Sequence, residues 1–258
     1  MDFTIQKPGH MVALAALLFA FFVIVVLPLL LFFGIEIFGT VQTTQITEFS
    51  ETFRFLFELI AVFLQIFFMV LGLFIGVPLL WYFLVNNLSL KEMFSRLKLR
   101  LAGIDMAILW GVLAVILGFA ILFAISTMLS LLGFDLSDTS NIPELELYFS
   151  LPSMVLILTV QPIGEEIFFR GFLLDKLDSL MGKHLAVIGT AVLFGIAHLS
   201  YGLLYPAVMA GILGILFGYI VIKTQNLYSS ILAHVLFNII SFSIYILAQS
   251  LPPEALIL

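Results

Sequence analysis

The chain has 258 residues, 63% of them apolar and 10% charged, against roughly 45–50% and about 25% in a soluble domain. A soluble globule cannot wrap so much apolar mass in polar surface, and with a mean hydropathy of +1.25 the chain reads as an all-α, polytopic transmembrane helical bundle. The net charge of −6 is not gathered into a long run of either sign, which argues against nucleic acid as a partner, and the absence of cysteine removes disulfides, iron–sulfur clusters, thiolate metal sites and cysteine nucleophiles.

The apolar runs are continuous rather than alternating, which separates them from the strands of a transmembrane barrel. They predict seven helical spans, at about 11–35, 59–85, 106–132, 151–174, 186–200, 203–222 and 228–249, the fifth being the shortest. The first is too long for the apolar part of a signal peptide and reads as an uncleaved span. Residues 1–150 form a three-span region, 151–249 a four-span core and 250–258 a short tail; no internal repeat is visible. Basic residues near span ends stay on the cytoplasmic side. With the N-terminus inside, Lys7, Lys91, Arg96, Lys98, Arg100, Lys176, Lys183 and Lys223 fall inside and Arg54 outside. The acidic loops bearing Glu36, Glu48, Glu51 and Glu58, and Asp135, Asp138, Glu144 and Glu146, fall outside. Pro28, Pro78 and Pro162 lie within spans, where each removes a backbone donor and predicts a kink. Gly214 and Gly218 form a small-xxx-small pair that lets helices approach closely. His10 and His184 fall at membrane edges and read as surface residues, and Gln65 and Asp105 receive no role.

Ionisable side chains inside the hydrocarbon are expensive and mark function by default. Here they concentrate in the second half: Gln161, Glu165, Glu166 and Arg170 in span four, His198 in span five, His234 and Asn238 in span seven. Glu166 and Arg170 are four apart with the acid first, the favoured order for an ion pair on one helix face. Glu165 then points about 100° away, without a cation on its own helix, as suits a carboxylate that takes and gives protons. His234 and Asn238 share a face, as do Phe194 and His198, so that the phenyl ring can wall the imidazole. Either histidine alone reads as a helix-to-helix hydrogen-bonding group; two of them with paired glutamates and an asparagine read as a site.

In this order, Glu165-Glu166-x-x-x-Arg170, Phe194-x-x-x-His198 and His234-x-x-x-Asn238 resemble the CPBP (ABI) family. These are intramembrane proteases related to type II CAAX prenyl endopeptidases and to bacteriocin-processing or immunity proteins. The resemblance covers about 95 residues from span four to span seven, and nothing in spans one to three adds to it. It implies peptide-bond hydrolysis in a cavity open toward the cytoplasmic side. Glu165 and His198 would activate water, His234 and Asn238 would stabilise the oxyanion, and Glu166, Arg170 and Phe194 would support them. The implied partners are the lipid bilayer and a membrane-associated peptide or lipidated protein, in a bacterial inner membrane. A metal-independent site without cofactor is favoured; zinc remains an alternative, with Glu165, His198 and His234 as its ligands, although no H-E-x-x-H occurs. A proton-coupled transporter and a non-catalytic immunity or scaffold protein also stay open, the first expecting inverted repeats.

Overall fold

In a bilayer, backbone polar groups find no water and must be satisfied within the chain, so continuous apolar runs fold as helices. The computed structural model describes residues 3–35, 51–134 and 149–250, and every regular element among them is helical. In chain order these are α1 (Pro8–Phe32), α2 (Glu51–Leu84), α3 (Leu90–Arg96), α4 (Ile104–Leu131), α5 (Leu151–Met181), α6 (Lys183–Ala197), α7 (Leu204–Thr224) and α8 (Tyr228–Ser250). A single 3-10 turn, His198–Tyr201, follows α6. Six of these helices are long and apolar enough to cross a membrane. The expected fifth span is α6, whose 15 residues extend roughly 22 Å at 1.5 Å per residue, short of the ~30 Å hydrocarbon layer. Six long helices and one short one therefore replace seven equivalent spans. The loops at 36–50 and 135–148 and the tail at 251–258 lie outside the described residues.

Two of the prolines are accommodated by widening the helix rather than breaking it. Just before Pro28 and Pro78, Phe22–Val26 and Gln65–Gly76 are wound as π-helix, and the Leu27 N–H bonds the Phe22 carbonyl, five residues back. A proline removes the bond that closes the ordinary turn, and the wider turn relocates the strain.

Helices α2 and α5 run side by side in the same direction. At one end Glu58 accepts hydrogen bonds from the Ser150 N–H and hydroxyl. Further along, a Cβ on Gly164 would lie 2.8 Å from Val70 and 3.1 Å from Phe74, and beyond it Phe74 meets Phe168 and Trp81 meets Phe172. Helices α6 and α7 form an antiparallel hairpin closed by glycines. A Cβ on Gly195 would lie 2.8 Å from the Ala207 carbonyl, Gly214 faces Ala191 and Gly218 faces Val187. The Gly214–Gly218 pair thus does bring two helices together, with Gly195 completing the contact from the other side.

The basic loops meet at one end of the bundle. Arg96 pairs with Asp175 at 3.1 Å, the Leu227 N–H donates to the Lys98 carbonyl, and the Asn226 amide donates to the Arg100 and Ala102 carbonyls. The N-terminal segment folds onto the same end, Phe3 stacking on Trp81. This fold-back corrects the expectation for His10. The imidazole is 1% exposed, accepts the Thr4 N–H on Nδ1 at 2.9 Å and stacks on Phe3. His184 is exposed as expected, and Asp105 is exposed in the first turn of α4, where a negative charge complements the helix dipole.

Candidate active site

Helix α5 presents its two adjacent glutamates to different surroundings, as the 100° step between neighbours requires. Glu166 and Arg170, both fully buried, form the expected i,i+4 ion pair, with Nη1 2.8 Å from Oε1. The guanidinium lies 4.1 Å over the Phe194 ring, with Phe169 and Phe217 alongside. Gly214 makes room for it, since a Cβ there would sit 3.0 Å from Nη2. The same Glu166 oxygen faces His234 Nδ1 at 2.9 Å. A carboxylate can only accept, so Nδ1 carries the proton. Aromatic faces and one shared carboxylate oxygen thereby fix both the arginine and the histidine ring.

Glu165 turns the other way, and it too is buried. One oxygen, Oε1, accepts from the Gln161 amide at 2.6 Å; the other, Oε2, lies 3.8 Å from His234 Nε2. His198 sits where α6 gives way to the 3-10 turn. Its Nδ1 is 2.8 Å from the Phe194 carbonyl, an acceptor, so in the neutral ring the lone pair resides on Nε2. Phe194 packs against that imidazole at 4.5 Å between centroids and edge-on to His234 at 5.6 Å. Asn238 stands one turn beyond His234 on α8 and lines the same cavity.

Glu165, His198, His234 and Asn238 all border one cavity of about 600 Å³. Its walls are otherwise largely apolar, including Leu122, Ile157, Leu213 and Phe237. From the polar cluster it runs toward Ala61, Tyr205 and Phe149, away from the basic end. Toward the basic end the bundle is filled by Tyr82, Met93, Leu97, Phe172, Leu174 and Leu227, all buried in one cluster. Among the described residues the cavity thus extends on the side away from the basic loops, whereas the resemblance implies an opening toward the cytoplasmic side. A second cavity of about 330 Å³ lies against α1, bordered by Ile24, Pro28 and Met69, and shares Glu165, His198, Phe194, Gln161 and Gln65 with the first.

The alternative zinc set is not gathered around one point in this arrangement, although both imidazoles turn Nδ1 to an acceptor and keep Nε2 for other partners. Among the described residues no group of three His, Cys, Asp or Glu side chains converges on a metal position. His234 keeps Nδ1 on Glu166 and Nε2 beside Glu165, and Glu165 commits an oxygen to Gln161.

Sequence reasoning missed Gln65. Its amide donates to the Gln161 side chain at 2.8 Å, so span two does reach the site. The available signal was a lone polar residue in an otherwise apolar span.

Fold and site together define an integral membrane protein of helical-bundle type, with a buried Glu–His–Arg cluster bordering an apolar cavity. Residues 147–240, the stretch holding all of these groups except Gln65, match the model of the family of type II CAAX prenyl endopeptidases, Rce1-like. No curated protein and no solved structure matches the chain.

Proposed function

We propose that the protein is an intramembrane endopeptidase that hydrolyses a peptide bond with a water activated by Glu165 and His198. The observation that carries this reading is the division of labour between adjacent glutamates. Glu166 is held by Arg170 and His234, whereas Glu165 keeps an oxygen toward the cavity that His198 also borders. A base within reach of water, in an apolar-walled cavity, is what general base catalysis needs.

Water delivers its oxygen to the carbonyl carbon as its proton passes to Glu165, and the carbonyl oxygen becomes the oxyanion of a tetrahedral intermediate. His234, with Nδ1–H on Glu166, offers Nε2–H in its imidazolium form, and the Asn238 amide offers a second donor; preorganised donors of this kind stabilise developing charge most in a low-dielectric site. The carbon–nitrogen bond then breaks as the proton moves from Glu165 to the leaving amine. Neither a nucleophilic side chain nor a metal enters these steps.

The apolar walls suit a substrate that brings its own apolar surface, a membrane-associated peptide or a lipidated one. The clustering of basic loops supports a cytoplasmic location for that end of the bundle and for the N-terminus, with the cavity extending toward the opposite face. The test is cleavage of a quenched fluorescent peptide library, with a farnesylated CAAX peptide included, by detergent-purified wild type and Glu165→Gln. Cleavage by the wild type and none by the variant is expected; a folded Glu165→Gln protein that still cuts refutes the reading.

A further inference from the structure

The glutamine chain that reaches Glu165 from outside the matched domain has a direction, and the direction is informative. An ionised carboxylate has no hydrogen to give, so the group 2.6 Å from Glu165 Oε1 must be the NH2 of Gln161. The Gln161 carbonyl oxygen is then turned away from Glu165, and there it accepts the Gln65 NH2 at 2.8 Å. Flipping either amide would set oxygen against oxygen or hydrogen against hydrogen. The two amides therefore have one mutually consistent orientation, imposed by the carboxylate at the end of the chain.

We propose that Gln161 and Gln65 are positioning residues for the Glu165 carboxylate: a two-amide relay from α2 that holds Oε1 and leaves Oε2 turned to the cavity. This assignment rests on the peptidase reading above. Local construction supports it. Gln65 and Gln161 both border the two cavities that meet at Glu165. Gly164, next to Glu165, has no Cβ to keep Val70 and Phe74 away, and Glu58 fixes the start of α5 through Ser150. These contacts on either side of the relay set how far α2 stands from α5. Gln65 also opens a π-wound segment, the kind of local widening that recurs at functional sites. An amide pair serving only to join helices would need no third partner, whereas here the chain ends on the proposed base.

The test uses near-isosteric methionines in the full-length, detergent-purified protein, with a quenched farnesylated CAAX peptide as probe and turnover normalised to folded protein. Gln161→Met is expected to lower kcat on the order of 10- to 100-fold, the scale of a misplaced reacting group, with KM within about twofold. Gln65→Met is expected to lower kcat by about 3- to 10-fold on the same reasoning, and to add nothing in the Gln161→Met background, because residues of one network act as a unit. A Gln161→Met protein with wild-type kcat, a change in KM alone, or effects that simply multiply in the double variant would each overturn the relay. If Gln161→Met does not fold, Gln65→Met decides: a kcat within twofold of wild type overturns the proposal and the predicted fall supports it. Wild-type cleavage abolished by Glu165→Gln, with methionine variants unaffected, sinks the relay alone. A Glu165→Gln protein that still cleaves, or a wild type that cleaves nothing, sinks the peptidase reading and the relay together.

Discussion

Arg170→Met strips the guanidinium from a carboxylate that is itself fully buried, and the resulting cost follows from the geometry. Both partners are 0% exposed, so no solvent screens the charge left behind, and breaking such a pair by removing one side costs about 3–5 kcal/mol. The cation over the Phe194 ring at 4.1 Å is lost as well, within that range. A loss of this size lowers the folding constant by roughly two to three and a half powers of ten. Neutralising the acid, which then keeps the His234 N–H, reverses much of it, so the double variant Glu166→Gln/Arg170→Met is expected to be at least about 2 kcal/mol more stable than Arg170→Met, because the penalty belongs to a buried charge that has lost its cation. Equilibrium unfolding in mixed micelles, followed by helical circular dichroism, measures both. An Arg170→Met protein within about 1 kcal/mol of wild type, or a double variant no better than the single, would refute the argument that this pair is a mutually dependent buried unit.

Glu165→Gln is expected to lower turnover by about 10²- to 10⁴-fold, the usual contribution of a general base, without lowering the unfolding midpoint; steady-state peptide cleavage and the same unfolding assay check this. Asn238→Leu removes a proposed oxyanion donor and is expected to lower kcat by about 10²- to 10³-fold with little change in KM, read by initial rates against substrate concentration. Gly164→Ala places a Cβ 2.8 Å from Val70 and 3.1 Å from Phe74, an overpacking that costs about 1–3 kcal/mol in the unfolding assay. Treatment with a strong chelator is expected to leave cleavage unchanged; loss of activity restored by zinc would refute the metal-independent reading and assign Glu165, His198 and His234 to a metal.

Relations within one helix were legible in the sequence because the 3.6-residue repeat turns spacing into direction. That is why Glu166 with Arg170 and Phe194 with His198 could be paired from their numbers, and why Glu165 could be set apart from its neighbour. Relations between helices carry no such signal. The His234–Glu166 contact joins residues 68 apart and the Gln65–Gln161 contact residues 96 apart, and nothing periodic links them. Burial of His10 depends on a fold-back of Phe3 onto Trp81, a tertiary event invisible to hydropathy. The direction in which the cavity extends depends on which ends of the helices pack tightly, and charge in the loops carries no signal for that. The fifth span, expected to be the shortest, is the short helix α6, and apolarity alone does not mark its end, where the 3-10 turn begins at His198.

Arg170 and the paired glutamates also bear on how the protein enters its membrane. Helix α5 is the least apolar of the long helices, with a best-window hydropathy of 1.2 against 2.0 to 3.1 for the others. Each charged group near a helix centre opposes insertion by about 2.5–3.5 kcal/mol; Glu166 and Arg170 relieve each other within α5, and the further partners, Phe194 and His234, emerge later in synthesis. The helix that bears the proposed base is thus a reluctant passenger until α6, α7 and α8 follow it out of the ribosome. The polar cluster is complete only when the last helix is in place, and a chain truncated before α8 would leave Glu166 with Arg170 but without the His234 N–H.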